Sequence, residues 1–188
     1  MLNNLRPYIE RITGPIASRI RINPNYVTLA GFIIALAAAY TFVMKDLFFG
    51  GVLMALSGFM DIIDGAIARE NSKATKFGGF LDSTLDRFSD AFILIGITYG
   101  GFVDWLIGML AIHASLSVSY VRARAEGEGI PCSIGVAERA ERLLILMLGA
   151  FLGSFFGDFI MEIAVILVMV LGYFTVIQRI HYSWKMMS

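Results

Sequence analysis

Long apolar runs, broken by short clusters of charge, glycine and proline, set the pattern of this chain. After the turn Asn23-Pro24-Asn25, a first run extends from about Tyr26 to Met44 and ends at Lys45-Asp46. A second goes from Leu47 to about Ala68, and Arg69 to Lys76 then reads as a short polar loop. The third starts at Phe77 and continues to about Phe102, with Asp104 marking a turn. The fourth runs from Trp105 to about Tyr120 and continues as a polar helix through Arg122 and Arg124. Gly127 to Gly135, with Pro131, reads as the longest loop. The fifth opens on charged turns from Glu138 to Arg142 and ends near Phe156, and the sixth goes from about Phe159 to Val176 and on past Arg179. A helix needs about 20 apolar residues to cross a bilayer core, and each run approaches that length. The pattern predicts an all-α, polytopic membrane protein with six transmembrane helices over 26–183. Residues 1–188 then form a single domain with no room for a second, soluble one.

Ahead of the first run the pattern changes. Leu5, Ile9, Ile12, Ile16 and Ile20 fall at three- and four-residue steps among Arg6, Glu10, Arg11, Arg19 and Arg21. This predicts an N-terminal amphipathic helix over 2–22, lying in the headgroup layer and bent at Gly14-Pro15. A charged segment without an apolar core is not expected to be a cleavable signal peptide.

Composition agrees. The 188 residues are 57% hydrophobic and 16% charged, against about half and about a quarter in soluble domains. Net charge is zero, so nothing suggests a nucleic-acid partner. The single Cys132 excludes an intrachain disulfide and a thiolate metal cluster. With six spans, every Lys and Arg except Lys45 falls on the side that holds both termini. The positive-inside rule makes that side cytoplasmic, in the cell membrane.

Carboxylates interrupt the second and third runs on this basic side. Asp61 and Asp64 are three apart, Asp82 and Asp86 four apart, so each pair shares one face of its helix. The short loop predicts that the two helices are antiparallel neighbours with their four aspartates brought together. Ionisable groups at a membrane edge are costly and point to function. Four like charges repel, and divalent cations on oxygen ligands resolve that conflict. Carboxylates without Cys or a His cluster favour Mg²⁺ or Mn²⁺ over zinc. Two such ions could clamp a diphosphate for in-line displacement at phosphorus. Gly65 and Gly78 allow close approach, Arg69 can neutralise a phosphate, and Lys73, Thr75 and Lys76 lie beside it. Asp90 extends the 82, 86, 90 row and reads as an outer-shell or solvated carboxylate rather than a ligand. The competing reading of the aspartates is a cation or proton path through a transporter.

Written out, the stretch is D-x2-D-G-x2-A-R-x8-G-x3-D-x3-D, from Asp61 through Gly65, Ala68, Arg69 and Gly78 to Asp86. Chance matches should arise less than about once in a billion starts, at roughly one in twenty per position. It resembles the signature of the CDP-alcohol phosphotransferases, which build phospholipids in membranes. The resemblance implies that Asp61, Asp64, Asp82 and Asp86 bind two metal ions, with Asp86 also the general base toward the acceptor hydroxyl. It places CDP against Asp61, Asp64, Gly65, Arg69 and Gly78, with Ala68 as a small packing position and Thr75 as a nearby hydroxyl. Pro24-Asn25 and Thr28 resemble the family's entry to its first span, near the nucleotide. The family is generally homodimeric, which implies a homodimer here.

The acceptor is read from elsewhere. Arg122 and Arg124 end the fourth run and Arg139 and Arg142 open the fifth, with Arg179 at the end of the sixth. By composition they could anchor helices at headgroups or pair with Glu126, Glu138 and Glu141. Their segments resemble those of phosphatidylinositol- and archaetidylinositol-phosphate synthases, in which basic residues hold the phosphate of inositol 1-phosphate. Arg122, Arg124 and Arg142 match best and Arg139 and Arg179 less well. The implied reaction joins a CDP-activated lipid (CDP-archaeol or CDP-diacylglycerol) to inositol 1-phosphate and releases CMP. A glycerol phosphate acceptor is the alternative. Gly96 and Gly100 allow close helix packing, and His113 and His181 read as packed or interfacial residues.

Overall fold

The polar residues that break the apolar pattern are helix caps. Asn23 accepts a hydrogen bond from the Asn25 backbone N–H at 3.0 Å and opens α1 (Pro24–Val43), with Pro24 in the first turn. The fixed φ of proline suits that position. Asp46 accepts from Phe49 N–H at 2.9 Å and opens α2 (Leu47–Glu70). Thr75 does the same for Gly78 N–H at 2.9 Å at the start of α3 (Lys76–Tyr99). Asp104 accepts from Leu106 N–H at 2.9 Å and opens α4 (Trp105–Gly127). Two further helices follow, α5 (Arg139–Phe156) and α6 (Phe159–Met187). Each such cap satisfies a donor that the helix cannot, an effect of about 1 kcal/mol.

The computed structural model describes Ala17, Ile20 and residues 22–71 and 73–187. The amphipathic helix expected over 2–22 therefore lies outside the described residues, apart from three positions. Ala17 is buried in a cluster with Ile63, Ala66 and Ile67 of α2. Asn71 Nδ2 donates to the carbonyls of Ala17 and Ile20 at 3.3 and 3.1 Å, tying the entry segment to the end of α2.

Among the described residues the fold is all-helical, and the six helices follow the six runs in order. Four of them, α1, α2, α4 and α6, are long and apolar enough to cross a membrane. The other two carry too much charge: α3 holds Asp82, Asp86, Arg87 and Asp90, and α5 opens on Arg139, Glu141 and Arg142. The third run was expected to reach Phe102, but α3 stops at Tyr99. Gly100 caps it and Gly101, at φ 81°, reverses the chain. A positive φ of this kind is open to glycine and ends helices.

Helix packing corrects one expectation. α2 and α3, although joined by a short loop, form no closely packed seam with each other among the described residues. Both pack on α1; α2 also meets α5, α3 meets α4, and α6 joins α4 to α5. A ring of six helices results. The physical reason is visible at the contacts: a Cβ on Gly96 would run into the Ala39 backbone and one on Gly100 into the Phe42 carbonyl, so α3 approaches α1 very closely. The two glycines thus serve packing within the chain. Aspartates on α2 and α3 are left facing each other across a gap instead of colliding in a seam. Phe42, Met54, Ile97, Leu146 and Val165 fill the centre of the ring. Ile33, Phe88, Leu148, Val170 and Ile177 project outward, exposed, as suits a protein whose exterior meets lipid.

Candidate active site

The site forms where the polar ends of four helices converge. α2 supplies Asp61, Asp64, Gly65 and Arg69, and α3 supplies Gly78, Asp82, Asp86 and Asp90. Asn25 and Thr28 come from the first turns of α1, Arg139 and Arg142 from the first turn of α5. Carboxylate oxygens of Asp61, Asp64 and Asp82 all lie within 4.8 Å of one another. Asp86 joins this trio through Arg139, whose Nη1 donates to Asp61 Oδ2 at 2.8 Å and whose Nη2 pairs with Asp86 Oδ1 at 2.9 Å.

The residues fit a divalent cation. Asp64 is buried, and its Oδ2, like Asp82 Oδ1, is a buried acceptor with no hydrogen-bond partner among the described residues. A buried acceptor without a donor is expensive, and a cation removes the cost. All the available ligands are hard oxygens, the set that Mg²⁺ and Mn²⁺ prefer.

Beside the trio opens a cavity of about 330 Å³ with Asp64 and Asp82 in its wall, within the size range of ligand pockets, about 300–1,000 Å³. Asn25, Thr28, Gly65, Arg69, Thr75 and Gly78 line it. The structure therefore gathers every residue expected to touch CDP except Asp61. That residue borders a smaller hollow of about 10 Å³ on the other side, with Asp64, Asp86 and Arg139. Gly78 fits closely where it stands, since a Cβ there would sit 3.0 Å from Asn25 Oδ1 and press on that side chain. Thr75 caps α3 with its hydroxyl while lining the same cavity.

The arginines divide differently from their expected order. Arg139 reaches the aspartates. Arg142 stands behind it, 3% exposed, donating to Asp90 Oδ2 and to the Ala137 carbonyl, both at 3.0 Å. Arg122 and Arg124 pair with Glu126 at 2.9 Å and Glu128 at 2.5 Å on the exposed end of α4. Arg179, 2% exposed, donates to the carbonyls of Ile134 and Val118 at 2.7 and 2.6 Å and faces Glu138 at 3.7 Å. It fastens the 130–137 segment to α4 and α6. Pairing with Glu126 and Glu138, raised from composition alone, is thus realised. Arg179→Ala is expected to leave the Ile134 carbonyl without this partner, at about 1–3 kcal/mol, while the Val118 carbonyl keeps its helical bond within α4. A drop of several degrees in melting temperature in detergent would register it; Arg124→Ala should shift the melt by less than about 1 kcal/mol of stability.

One contact went unread in the sequence. Asp90, expected as an outer-shell or solvated carboxylate, is buried, and Ser115 of α4 stands 3.5 Å from its Oδ2. A lone serine in an apolar run carries no signal of such a contact. His113 is exposed on α4, and its Nδ1 lies 3.0 Å from the Tyr173 hydroxyl.

An oxygen-ligand cation site at the polar end of an apolar helical bundle, with an arginine-bearing cavity beside it, defines a membrane-embedded enzyme acting on phosphate esters. The profile of the CDP-alcohol phosphatidyltransferases matches residues 21–177, and the chain belongs to that family. It is 51% identical to the archaetidylinositol phosphate synthase of Methanothermobacter thermautotrophicus over 185 residues, covering 98% of this chain and 95% of the relative. Identity to the Pyrococcus horikoshii archaetidylinositol phosphate synthase is 44%, over 98% of this chain and 97% of that one. Among solved structures it resembles Mycobacterium tuberculosis phosphatidylinositol phosphate synthase with CDP-DAG bound, at TM-score 0.83 and 34% identity, covering 93% and 94% of the two chains. The same enzyme in complex with manganese and citrate gives 0.82 and 33%, covering 92% and 88%.

Proposed function

We propose that this protein transfers the lipid-phosphate group of a CDP-activated lipid to inositol 1-phosphate, releasing CMP, with CDP-archaeol as the donor. The observation that carries the acceptor half is Arg139. Its guanidinium spans Asp61 and Asp86 at 2.8 and 2.9 Å. A phosphate drawn to this arginine brings the hydroxyl of the same molecule next to Asp86. The donor half rests on the neighbouring cavity, where Arg69 can pair with diphosphate oxygens. Relatives bearing the names of inositol-phosphate synthases support the pairing of the two.

Asp61, Asp64, Asp82 and Asp86 would hold Mg²⁺ or Mn²⁺, two ions in our reading. When bound, the ions neutralise the diphosphate and make its phosphorus more electrophilic. The chain does the rest. Gly78 and Asn25 shape the cavity around the nucleotide, and Arg69 orients the diphosphate. Asp86 takes the proton from the acceptor hydroxyl as that oxygen bonds to the lipid-bearing phosphorus. The bond from this phosphorus to the CMP oxygen breaks, and CMP departs with the electron pair. Arg122 and Arg124 would recruit the anionic acceptor at the exposed mouth, while Arg142 and Arg179 hold the acceptor side in shape.

The reading extends to six membrane-spanning helices, a headgroup-bound N-terminal helix, a homodimer and an active site on the cytoplasmic face of the cell membrane. For α3 and α5, the ion pairs of Asp86 and Asp90 with Arg139 and Arg142 reduce the cost of crossing.

An acceptor screen tests the proposal. Purified protein with CDP-archaeol or CDP-diacylglycerol and Mg²⁺ is expected to release CMP with inositol 1-phosphate. Glycerol 3-phosphate, glycerol 1-phosphate and serine should give far less. Preference for a glycerol phosphate would overturn the acceptor assignment, and no release with any phosphorylated polyol would overturn the reaction. Arg139→Ala should raise the acceptor KM by more than about tenfold, the loss expected when a charged hydrogen bond goes.

A further inference from the structure

We infer that Asp90, which lies outside the signature, is the positioning residue that aims Arg139 at the reacting groups. This rests on the reading of Arg139 as the holder of the acceptor phosphate. Asp90 is 7% exposed and engages two arginines at once. Its Oδ1 accepts from Arg139 Nε at 3.2 Å and its Oδ2 from Arg142 Nη2 at 3.0 Å, with Ser115 Oγ behind at 3.5 Å.

The geometry explains why a carboxylate is needed here. An arginine side chain has several rotatable bonds, and a contact through one terminal amino group alone would leave the guanidinium free to swing. Capture at Nε fixes the plane of the group from behind, so that Nη1 and Nη2 both point forward. In this structure they point at Asp61 and Asp86. Arg142 holds Asp90 in turn, and its Nη1 bond to the Ala137 carbonyl ties the pair to the segment that opens α5. α3 and α5 are thereby clamped at the level of the site. Arg139 also meets Asp61 and Asp86, so Asp90 serves to fix its plane and not to set the charge of the site. An anion arriving there meets a guanidinium whose orientation is already set.

A merely structural carboxylate would affect stability and both substrates alike. A positioning carboxylate acts through Arg139 and on the acceptor. Asp90→Asn, which keeps the shape and one acceptor oxygen, is expected to raise the KM for inositol 1-phosphate about tenfold or more, with the CDP-lipid KM within about twofold of wild type. Asp90→Ala in an Arg139→Ala background should add little, since both remove the same aimed group. Arg139→Lys retains the charge but lacks the Nε that Asp90 accepts. It should reproduce the rise in acceptor KM, and it serves where the Asp90 variants do not fold. A wild-type acceptor KM in Arg139→Lys or in folded Asp90→Asn overturns the inference. Losses that multiply in Asp90→Ala with Arg139→Ala overturn it too, while leaving Arg139 in place as the acceptor residue. An unchanged acceptor KM in Arg139→Ala alone would remove the reading beneath it.

Discussion

Asp86→Asn is expected to lower kcat for CMP release by at least about a hundredfold, the lower bound for loss of a general base. Donor binding should remain. Asp86 stands on the Arg139 side of the carboxylate trio and not among the residues that line the large cavity. Its Oδ1 engages Arg139, while its Oδ2 is 3.8 Å from Arg87 and has no tighter ion pair among the described residues. The amide is the same size and can still offer an oxygen to a cation, but it cannot take a proton. Steady-state turnover and calorimetric binding of a CDP-lipid to the same preparation separate the two effects. Retained turnover would remove Asp86 as the base. Lost donor binding would make it part of the nucleotide site.

Asp64→Asn should behave in the opposite manner toward stability. Asp64 is 5% exposed, and its Oδ2 has no hydrogen-bond partner among the described residues. Among the described residues no ion pair joins an arginine to it as Arg139 is joined to Asp61 and Asp86. A buried carboxylate in that position costs stability in the metal-free protein and is kept for its ligand. The variant is expected to bind Mn²⁺ more than about tenfold more weakly by electron paramagnetic resonance, and to lose turnover with it. In chelator its melting temperature should match or exceed that of the wild type. Unchanged Mn²⁺ affinity would take Asp64 out of the cation site. A marked fall in metal-free stability would show the carboxylate to be a structural partner instead.

Much of this site was legible because its chemistry is written at short range. Asp61 and Asp64 lie one helical turn apart, as do Asp82 and Asp86, so spacing alone places each pair on a face. The breaks between runs were legible for the same reason: Asn23, Asp46 and Asp104, read as turns or interruptions, act on backbone groups two or three residues away. Long-range relations were not. Nothing near Arg139 or Arg142 in sequence says which of the two reaches across to Asp61, 78 residues away in the chain. They lie three apart on one face of α5 and both reach Asp90, Arg139 from the first position of the helix and Arg142 from one turn further in. The expected seam between α2 and α3 failed on a similar point. Loop length told that the helices were close, but the small faces of Gly96 and Gly100 drew α3 onto α1. That displacement makes room for a substrate between the aspartate-bearing helices. For Asp90 the choice between an outer-shell and a solvated carboxylate stayed open in the sequence because its partners, Arg139, Arg142 and Ser115, come from α4 and α5.

In the proposed function the carboxylates stand between an acceptor side and a donor side. Asp64 and Asp82 face the large cavity, and Asp61 and Asp86 border the small hollow with Arg139. The trio of oxygens lies between them. A cation held there would touch both halves of the reaction, which is what transfer between two bound substrates requires.

The most direct test of that account is the mass balance of a single reaction. Purified protein in detergent is given CDP-archaeol, inositol 1-phosphate and Mg²⁺, and CMP and lipid products are quantified together by mass spectrometry. Equal amounts of CMP and of a lipid carrying both the transferred phosphate and the inositol phosphate are expected, with neither formed in chelator. CMP without a new lipid, or products that form equally well without a divalent cation, would contradict it.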